Sequence, residues 1–348
     1  MRPRSLHVLP ALVLAAGSLA GCGLGVEGSS ASGTDPDGYP VTIESCGEKV
    51  TVEQPPERIV SLNQGSTEML LSLGVADRMV GAAGWTDPVL ASLADENALV
   101  ERLADQAPSY ETLLSVEPDL VTASFFNTLS EGGVATSDQL ADVGVPSYLS
   151  AVECAKSDFG GGDGARDAPL EMQAVYDEVR DLATLVGELE AGEELVASLE
   201  ARMAAASEAD FDGVSVVYWF ANSEAPYGAG CCGGPGVVTR ALGLDNVFED
   251  EQAEWPQIGW ETIAAADPDV LVVGDLTRKS QTAETAKAKI AFLESNPVTR
   301  EMTAVQRGRY VLLAGAELNP SIRTVDAVEK VAAGLVDLGF ERTDAAAR

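Results

Sequence analysis

Two adjacent cysteines, Cys231 and Cys232, lie in a segment with five glycines, APYGAGCCGGPGVV at residues 225–238. Neighbouring thiols can join in a vicinal disulfide, bind a soft metal ion together, or each pair with a more distant cysteine. A vicinal bond would stiffen a backbone that glycine otherwise leaves free. We expect that bond, and we expect it to give this segment a rigid apolar surface.

Histidine is absent from the predicted mature chain, because the one histidine, His7, lies in the N-terminal segment. This absence removes serine–histidine–aspartate catalysis, cysteine–histidine catalysis and imidazole-based zinc sites. The sequence also contains neither a GxSxG motif nor a phosphate-binding glycine loop. An exported hydrolase with two carboxylates is the enzymatic alternative, but no spacing marks such a pair. We predict a binding protein with no catalytic residues, no cofactor and no metal site.

The N-terminal segment predicts export and attachment to a membrane. Two arginines precede an apolar stretch at residues 6–20, which ends in Leu-Ala-Gly-Cys at Cys22. This order is typical of an export signal and resembles the lipobox of bacterial lipoproteins, in which the cysteine carries the lipid. We expect residues 1–21 to be a signal peptide and residues 22–39, rich in Gly, Ser and Asp, to be a flexible tether. A plain secretory signal is the alternative.

The charge of the chain is strongly negative, since 55 Asp and Glu stand against 22 Lys and Arg, a formal net charge of −33. A surface of this sign repels phosphate backbones, so we expect no nucleic-acid partner. The acidic residues are spread along the chain, which indicates a solvated surface rather than an acidic tail.

Two stretches repeat the same junction of helix and strand, ETLLSVEPDLVTAS at residues 111–124 and ETIAAADPDVLVVG at 261–274. Proline cannot continue a helix, so each Pro-Asp pair ends a helix and begins a strand. Two earlier segments also match, because residues 67–81 and 237–250 each run a helix into a Leu-Gly stop. The predicted strands are 59–62, 79–82, 120–124 and 147–149, then 214–220, 246–248, 270–273 and 310–313.

These repeats predict an α/β protein with two similar lobes, residues 40–167 and 211–345, each a mostly parallel sheet flanked by helices. A hairpin, VTIESCGEKVTVE, opens the first lobe. Between the lobes, residues 168–210 keep the 3.6-residue apolar period of a helix, and Gly187 and Gly192 can bend or cap it. We predict a long bridging α-helix here, with a coiled-coil partner helix as the alternative.

Three stretches of the sequence follow one another in this order: PPERIVSLNQGSTEMLLSLG, VEPDLV and NVFEDEQAEWPQIGWETIAAADPDVLVVG. Together they resemble the iron-siderophore and vitamin B12 class of ABC-importer substrate-binding proteins. The resemblance covers about residues 40–340. It implies two lobes joined by a stiff helix, a ligand in the cleft between them and modest hinge motion. It also implies that each lobe offers a surface glutamate to the permease, and the matching positions are Glu68 and Glu261.

The remaining cysteines predict disulfides, because thiols outside the cytoplasm tend to be oxidised. With Cys22 lipidated, Cys46, Cys154, Cys231 and Cys232 permit three pairings. Cys46 and Cys154 fall in the same predicted lobe, where a bond would close a loop of about 108 residues. That pairing leaves Cys231 and Cys232 for each other, while a mixed pairing is the alternative.

Ligands of open α/β sheets bind at the carboxyl ends of the strands, so residues that follow the predicted strands are candidates for the cleft. Several are aromatic, which predicts a surface for a flat or bulky ligand. The expected ligand-binding residues are Asn63, Gln64, Trp85, Phe125, Phe126, Trp219, Tyr227, Cys231, Cys232, Trp255, Arg278, Asn319 and Arg323. The two arginines would meet an anionic chelate.

Together these features predict a monomeric, lipid-anchored receptor on the extracytoplasmic face of a bacterial membrane. We expect it to capture a metal chelate, a ferric siderophore first, and to pass it to an ABC permease with its ATPase. Cobalamin is the close alternative, favoured by Trp255-Pro256-Gln257. Haem and free transition metals fit less well without histidine, although Tyr227 could bind haem iron. A scaffold lipoprotein would be a further class.

Overall fold

The secondary structure alternates between strands and helices along the chain. The computed structural model describes residues 38–160, 163–277 and 284–344. Its strands are β1 (Val41–Ser45), β2 (Glu48–Val52), β3 (Ile59–Ser61), β4 (Met79–Ala82), β5 (Leu120–Ala123), β6 (Ser147–Leu149), β7 (Ala209–Asp210), β8 (Ser215–Trp219), β9 (Asp245–Asn246), β10 (Val270–Asp275), β11 (Tyr310–Ala314) and β12 (Thr343–Asp344). Its α-helices are α1 (Gln64–Ser72), α2 (Ala94–Asn97), α3 (Tyr110–Ser115), α4 (Ser137–Asp142), α5 (Ala151–Cys154), α6 (Met172–Val186), α7 (Leu189–Ala206), α8 (Gly234–Ala241), α9 (Trp260–Ala266), α10 (Ala286–Ser295), α11 (Thr303–Gln306), α12 (Gly315–Leu318) and α13 (Thr324–Asp337).

Two parallel four-stranded sheets form the framework. The first has the strand order β4-β3-β5-β6 and the second the order β9-β8-β10-β11, so both follow the pattern 2-1-3-4 when each sheet's own strands are counted along the chain. The hairpin β1–β2 opens the first lobe and pairs antiparallel, as predicted. The predicted fold class, two similar α/β lobes of parallel sheet flanked by helices, is confirmed.

The central strands β5 and β10 are buried along nearly their whole length. A parallel sheet that helices cover on both faces requires apolar side chains at successive positions. This requirement explains why both strands appear in the sequence as continuous apolar runs rather than as alternating patterns.

The two Pro-Asp pairs have the same structural role in the two lobes. The carboxylate of Asp119 accepts hydrogen bonds from the backbone N–H groups of Glu57 and Arg58, at 2.8 and 2.9 Å, just before β3. In the second lobe, Asp269 accepts from the N–H and hydroxyl of Ser215 at 3.2 and 2.9 Å, at the start of β8. Each aspartate therefore fastens the start of its lobe's first sheet strand to the neighbouring strand.

The segment between the lobes is divided into two helices rather than being one. Gly187 ends α6 in the left-handed conformation, with φ of 76°. The chain then reverses, so that Arg180 of α6 donates a hydrogen bond to Glu193 of α7 at 2.9 Å. At Gly192 a Cβ atom would lie 2.5 Å from the Cβ of Ala183, so glycine permits the close approach. The predicted single helix over residues 168–210 is corrected accordingly.

Helix α7 makes the crossing between the lobes. Its residues Val196 and Leu199 are buried in the core of the first lobe together with α6. One turn further on, Arg202 binds Glu329 of α13 in the second lobe, with N–O distances of 2.9 and 2.6 Å. The helix has 18 residues, which corresponds to about 27 Å.

A buried ion pair joins the lobes beside the cleft. Arg323, the residue before α13, donates from Nε to Glu68 of α1 at 2.7 Å, and from Nη2 to the other oxygen of Glu68 and to the carbonyl of Pro88. Glu68 is 1% exposed and Arg323 is 5% exposed. Burial alone would lower the pKa of Arg323, but the hydrogen bonds and the charge of Glu68 outweigh it, and the pKa is raised. The lobes are therefore held together by a satisfied charge pair in a water-poor environment.

The Cys46–Cys154 disulfide connects the hairpin β1–β2 to α5, across 108 residues of sequence. This predicted pairing is confirmed. We expect its loss to destabilise the protein by about 4 to 5 kcal/mol, because the cross-link restricts the unfolded chain. Guanidinium denaturation of the Cys46→Ala/Cys154→Ala variant, followed by tryptophan fluorescence, measures the change. The matched Cys231→Ala/Cys232→Ala variant closes no long loop and should lose much less; equal losses would contradict the loop argument.

Removing one member of the buried ion pair should be more damaging than removing both. Arg323→Met leaves the carboxylate of Glu68 buried without its cation, which should destabilise the protein by about 3 to 5 kcal/mol. The double variant Glu68→Gln/Arg323→Met should recover most of that loss. As a control, Arg300→Met removes an exposed ion pair with Glu301 and should change stability by less than about 1 kcal/mol. A loss in Arg323→Met no larger than that control would show that the pair is not a structural link.

Candidate functional site

A narrow cavity lies between the lobes at the carboxyl ends of β3 and β5. The strand order reverses at this point, which is where open α/β sheets bind ligands. The first lobe contributes Gln64, Gly65, Glu68, Thr86, Ser124 and Phe125 to the lining, and the second contributes Ala316, Asn319, Pro320 and Ser321. The cavity volume is about 20 Å³, which is room for about one water molecule. The lobes are therefore closed on each other, and a bulky ligand requires them to separate.

Asp87, in the first lobe, stabilises the closed arrangement of the two lobes. Its carboxylate accepts hydrogen bonds from the N–H of Ala316 at 2.7 Å and from the hydroxyl of Thr277 at 3.1 Å, both in the second lobe. The contact is tight at Gly315, where a Cβ atom would lie 2.8 Å from Leu276 and 3.0 Å from the carboxylate of Asp87. These contacts, like the ion pair of Arg323 with Glu68, cross from one lobe to the other.

The two amide side chains expected in the cleft fix the loops around it. Asn63 accepts a hydrogen bond from the N–H of Ser124 at 2.8 Å, which connects the ends of β3 and β5. The carbonyl oxygen of Gln64 accepts from the N–H groups of Thr86 and Asp87, both at 2.9 Å. Of the two, Gln64 lines the cavity. Both side chains therefore hold in place the loops that follow β3, β4 and β5.

The expected aromatic lining is not formed by the tryptophans of the second lobe. Trp219 is 1% exposed and packs edge-on against Trp260, with ring centroids 4.7 Å apart. Trp255 is 3% exposed and packs against Phe220 at 5.0 Å. Residues at strand ends also meet the helices that cover the sheet, and large rings gain most free energy by burial there. The expectation that Trp219 and Trp255 face the cleft is therefore corrected: they lie in the core.

Trp85 and Tyr227 are placed differently from these core tryptophans. Trp85 is buried next to Thr86, and the guanidinium of Arg102 lies 4.9 Å from its ring centroid. Its indole N–H has no hydrogen-bond partner among the described residues. Tyr227 is half-buried, and its backbone pairs with Phe220 and Ala221 outside the cavity lining.

The structure joins Cys231 to Cys232, but the pair does not form a wall of the cavity. Cys232 is 3% exposed, and its carbonyl accepts from the N–H of Leu170, just before α6. The N–H of Cys231 donates to the carbonyl of Glu251 at 2.8 Å. At Gly236 a Cβ atom would lie 1.8 Å from the carbonyl oxygen of Cys231, so only glycine fits. The cysteine pair thus fastens the approach to α6 onto the second lobe.

The remaining expected ligand residues divide into four groups. Phe125 and Asn319 line the cavity. Phe126 is exposed and stacks on Phe159, a residue that strand-end reasoning missed because it follows a helix. Arg323 is occupied by Glu68 and does not offer its guanidinium to an anionic ligand. Arg278 and the predicted lipidation site Cys22 lie outside the described residues.

The expected surface glutamates also differ from each other. Glu261 is exposed in the first turn of α9, but Glu68 is buried, so its expected exposure is wrong. The repeat ET…PD matches Glu261 with Glu111, which is exposed in the first turn of α3. Hydrogen bonds from its own backbone N–H and from Ser109 lower the pKa of Glu111. The signal for Glu111 was present in the repeated sequence.

Neither a membrane helix nor a metal site is found in the part of the chain that the structure describes. No helix there has the length and apolar character needed to cross a membrane. No three or more His, Cys, Asp or Glu side chains within those ranges are grouped so that they could hold a metal ion.

Known proteins resemble this chain in sequence and in structure. The family described as periplasmic binding protein matches residues 59–316. A cobalamin-binding protein of Halobacterium salinarum is 25% identical over 305 residues, 84% of this chain and 73% of its own. A periplasmic binding protein from Veillonella parvula superposes with a TM-score of 0.72 at 24% identity, covering 85% of this chain and 97% of that one. An ABC-type Fe3+-hydroxamate transport system structure from Saccharomonospora viridis has a TM-score of 0.69 at 25% identity, covering 85% and 99%.

The family match spans most of the chain and includes the cavity residues of the first lobe and Ala316 of the second. The resemblance inferred from the sequence is thereby confirmed. Relatives of this kind are extracytoplasmic solute-binding proteins of ABC importers and not enzymes, and that general function applies here. The chain belongs to the periplasmic binding protein family.

Proposed function

We propose that this protein is a lipid-anchored receptor that captures a corrinoid in the interlobe cleft and delivers it to an ABC permease. From the sequence we expect a ferric siderophore first and cobalamin second. The relative from Halobacterium salinarum reverses that order, because it matches 84% of this chain and is named as cobalamin-binding. This match over both lobes is the observation that carries the proposal.

The electrostatics of the cleft favour a cargo with little net charge. Among the described residues that line the cavity, Glu68 is the one charged group, and Arg323 neutralises it. The other polar lining groups are amides and hydroxyls, which hydrogen-bond without a net charge. A strongly anionic chelate would approach a chain of charge −33 without a cation in that described lining. Corrinoids carry little net charge and fit this environment.

A ferric hydroxamate is the second candidate. The structure from Saccharomonospora viridis, named for Fe3+-hydroxamate transport, superposes on 85% of this chain at 25% identity. Hydroxamate chelates of iron also carry little net charge, so the same cleft lining suits them. Catecholate chelates and haem carry more negative charge and fit it less well.

Docking to the permease is assigned to Glu111 and Glu261. Each lies in the first turn of the helix that precedes the third strand of its lobe's parallel sheet, and each is exposed. Equivalent positions in two similar lobes present two carboxylates to a partner, and arginine binds carboxylates through paired hydrogen bonds. We place the lipid on Cys22, so that the receptor stays near the membrane that holds the permease.

Ligand choice is tested by calorimetric titration of the protein with cyanocobalamin, ferrioxamine B and hemin. We expect submicromolar binding of cyanocobalamin and weaker or no binding of the other two. Asn319→Trp fills the cavity and should weaken binding by at least about tenfold, since the side chain occupies the space of the cargo. The matched Leu312→Trp variant places the same ring on the surface and should bind normally. Preference for ferrioxamine B would select the second candidate, and failure to bind any probe would refute both.

Permease docking is tested with the double variant Glu111→Arg/Glu261→Arg. Reversing both charges should place arginines opposite the permease's own cations and abolish stimulation of the transporter's ATPase in vesicles. Affinity for cyanocobalamin should not change, because neither residue lines the cavity. Glu190→Arg/Glu194→Arg, at two exposed positions on α7, is the charge-matched control. Normal stimulation by the double variant would remove the docking assignment without affecting the choice of cargo.

A further inference from the structure

Phe126 and Phe159 form a stacked aromatic pair that is open to solvent. Their ring centroids are 4.1 Å apart with an interplanar angle of 29°, and the residues are 37% and 44% exposed. The other exposed large apolar residues in the described ranges are aliphatic: Leu99, Val143, Leu189, Leu312 and Val336. Two stacked rings in water form a continuous apolar surface, which marks a binding surface more than scattered side chains do.

The pair adjoins the cleft and the contact between the lobes. Phe126 directly follows Phe125, which lines the cavity. Phe159 belongs to the loop that follows α5, and the end of this loop binds the second lobe. There the carbonyl of Gly164 accepts a hydrogen bond from the N–H of Glu254 at 2.8 Å. The two rings thus lie one residue from the cavity lining on one side and in a loop that reaches the second lobe on the other.

The backbone under both rings is anchored. The N–H of Phe126 donates to the buried carboxylate of Glu153 at 2.9 Å, and Lys156 holds that carboxylate with an N–O distance of 2.6 Å. The loop of Phe159 is closed by hydrogen bonds between Asp158 and Ala165, one of them 3.0 Å long. A surface that is ordered before binding loses little conformational entropy when a ligand arrives.

We propose that Phe126 and Phe159 form an aromatic platform that stacks on a conjugated ring of the cargo and selects such cargo over chelates without one. The proposal rests on the proposed function for the class of cargo. The tryptophans cannot provide this surface, because all four are 7% exposed or less. Within the described ranges, the phenylalanine pair is the aromatic surface that stays exposed near the cavity.

The platform is tested by titrating the full chain and its variants with cyanocobalamin, which has conjugated rings, and with ferrioxamine B, which has none. Phe159→Ala and Phe126→Ala should each weaken cyanocobalamin binding by about five- to tenfold, the usual effect of losing one aromatic stack. Their affinity for ferrioxamine B, where the wild type binds it, should not change. Phe159→Tyr keeps the ring and should bind normally. Leu312→Ala removes an equally exposed apolar side chain elsewhere and serves as the matched control.

The possible outcomes distinguish a failure of the platform alone from a failure of the proposed function. Wild-type binding of cyanocobalamin with unchanged affinity in both alanine variants would overturn the platform and leave the corrinoid receptor intact. A wild type that binds ferrioxamine B alone, or neither probe, would overturn the platform together with the corrinoid proposal. Circular dichroism checks that the variants fold. Should an alanine variant unfold, Phe159→Leu, which keeps apolar volume without a ring, is compared with Phe159→Tyr; equal affinities would refute stacking.

Discussion

The buried ion pair between Glu68 and Arg323 determines how the two lobes meet. Removing two charges from water is unfavourable unless each finds its full set of partners. Here the carboxylate of Glu68 accepts hydrogen bonds from the guanidinium of Arg323, from the amide of Gln64 and from the N–H of Leu90. The arginine also donates to the carbonyl of Pro88. The pair thereby links the first helix of one lobe to the last helix of the other.

The ion pair is combined with apolar packing at the same place. Ile322 and Val325, on either side of Arg323, are buried in the same core as the residues of α1 and α6 in the first lobe. The contacts of Asp87, by contrast, consist of two hydrogen bonds and a tight backbone approach. A packed core resists separation more strongly than two hydrogen bonds do. Opening of the cleft is thus expected on the Asp87 side, with the base near Arg323 acting as the pivot.

The aromatic side chains of this protein are divided between the buried cores and the surface. Trp219, Trp255 and Trp260 are buried in the cores of the second lobe, and Trp219 and Trp260 donate their indole N–H groups to nearby carbonyls. The ring surface that stays in water belongs to Phe126 and Phe159, which lie on loops rather than under helices. The apolar cores and the proposed platform therefore use different aromatic residues, although both sets follow or adjoin the sheets.

Local sequence determined the fold and much of the framework. The sequence predicted the Pro-Asp junctions at Asp119 and Asp269 and the apolar runs of β5 and β10, because proline geometry and strand burial act within short segments. It also predicted the pairing of Cys46 with Cys154, which follows from the oxidation of thiols outside the cytoplasm and from counting the cysteines.

Tertiary structure decided what the side chains at the strand ends do. Glu68 is buried because it binds Arg323, and Trp219 lies in the core because it packs against Trp260. Both partners are more than 40 residues away in the chain. Such partners are brought together only when the lobes pack, so the sequence determined where the cleft lies, and the packing decided which residues line it.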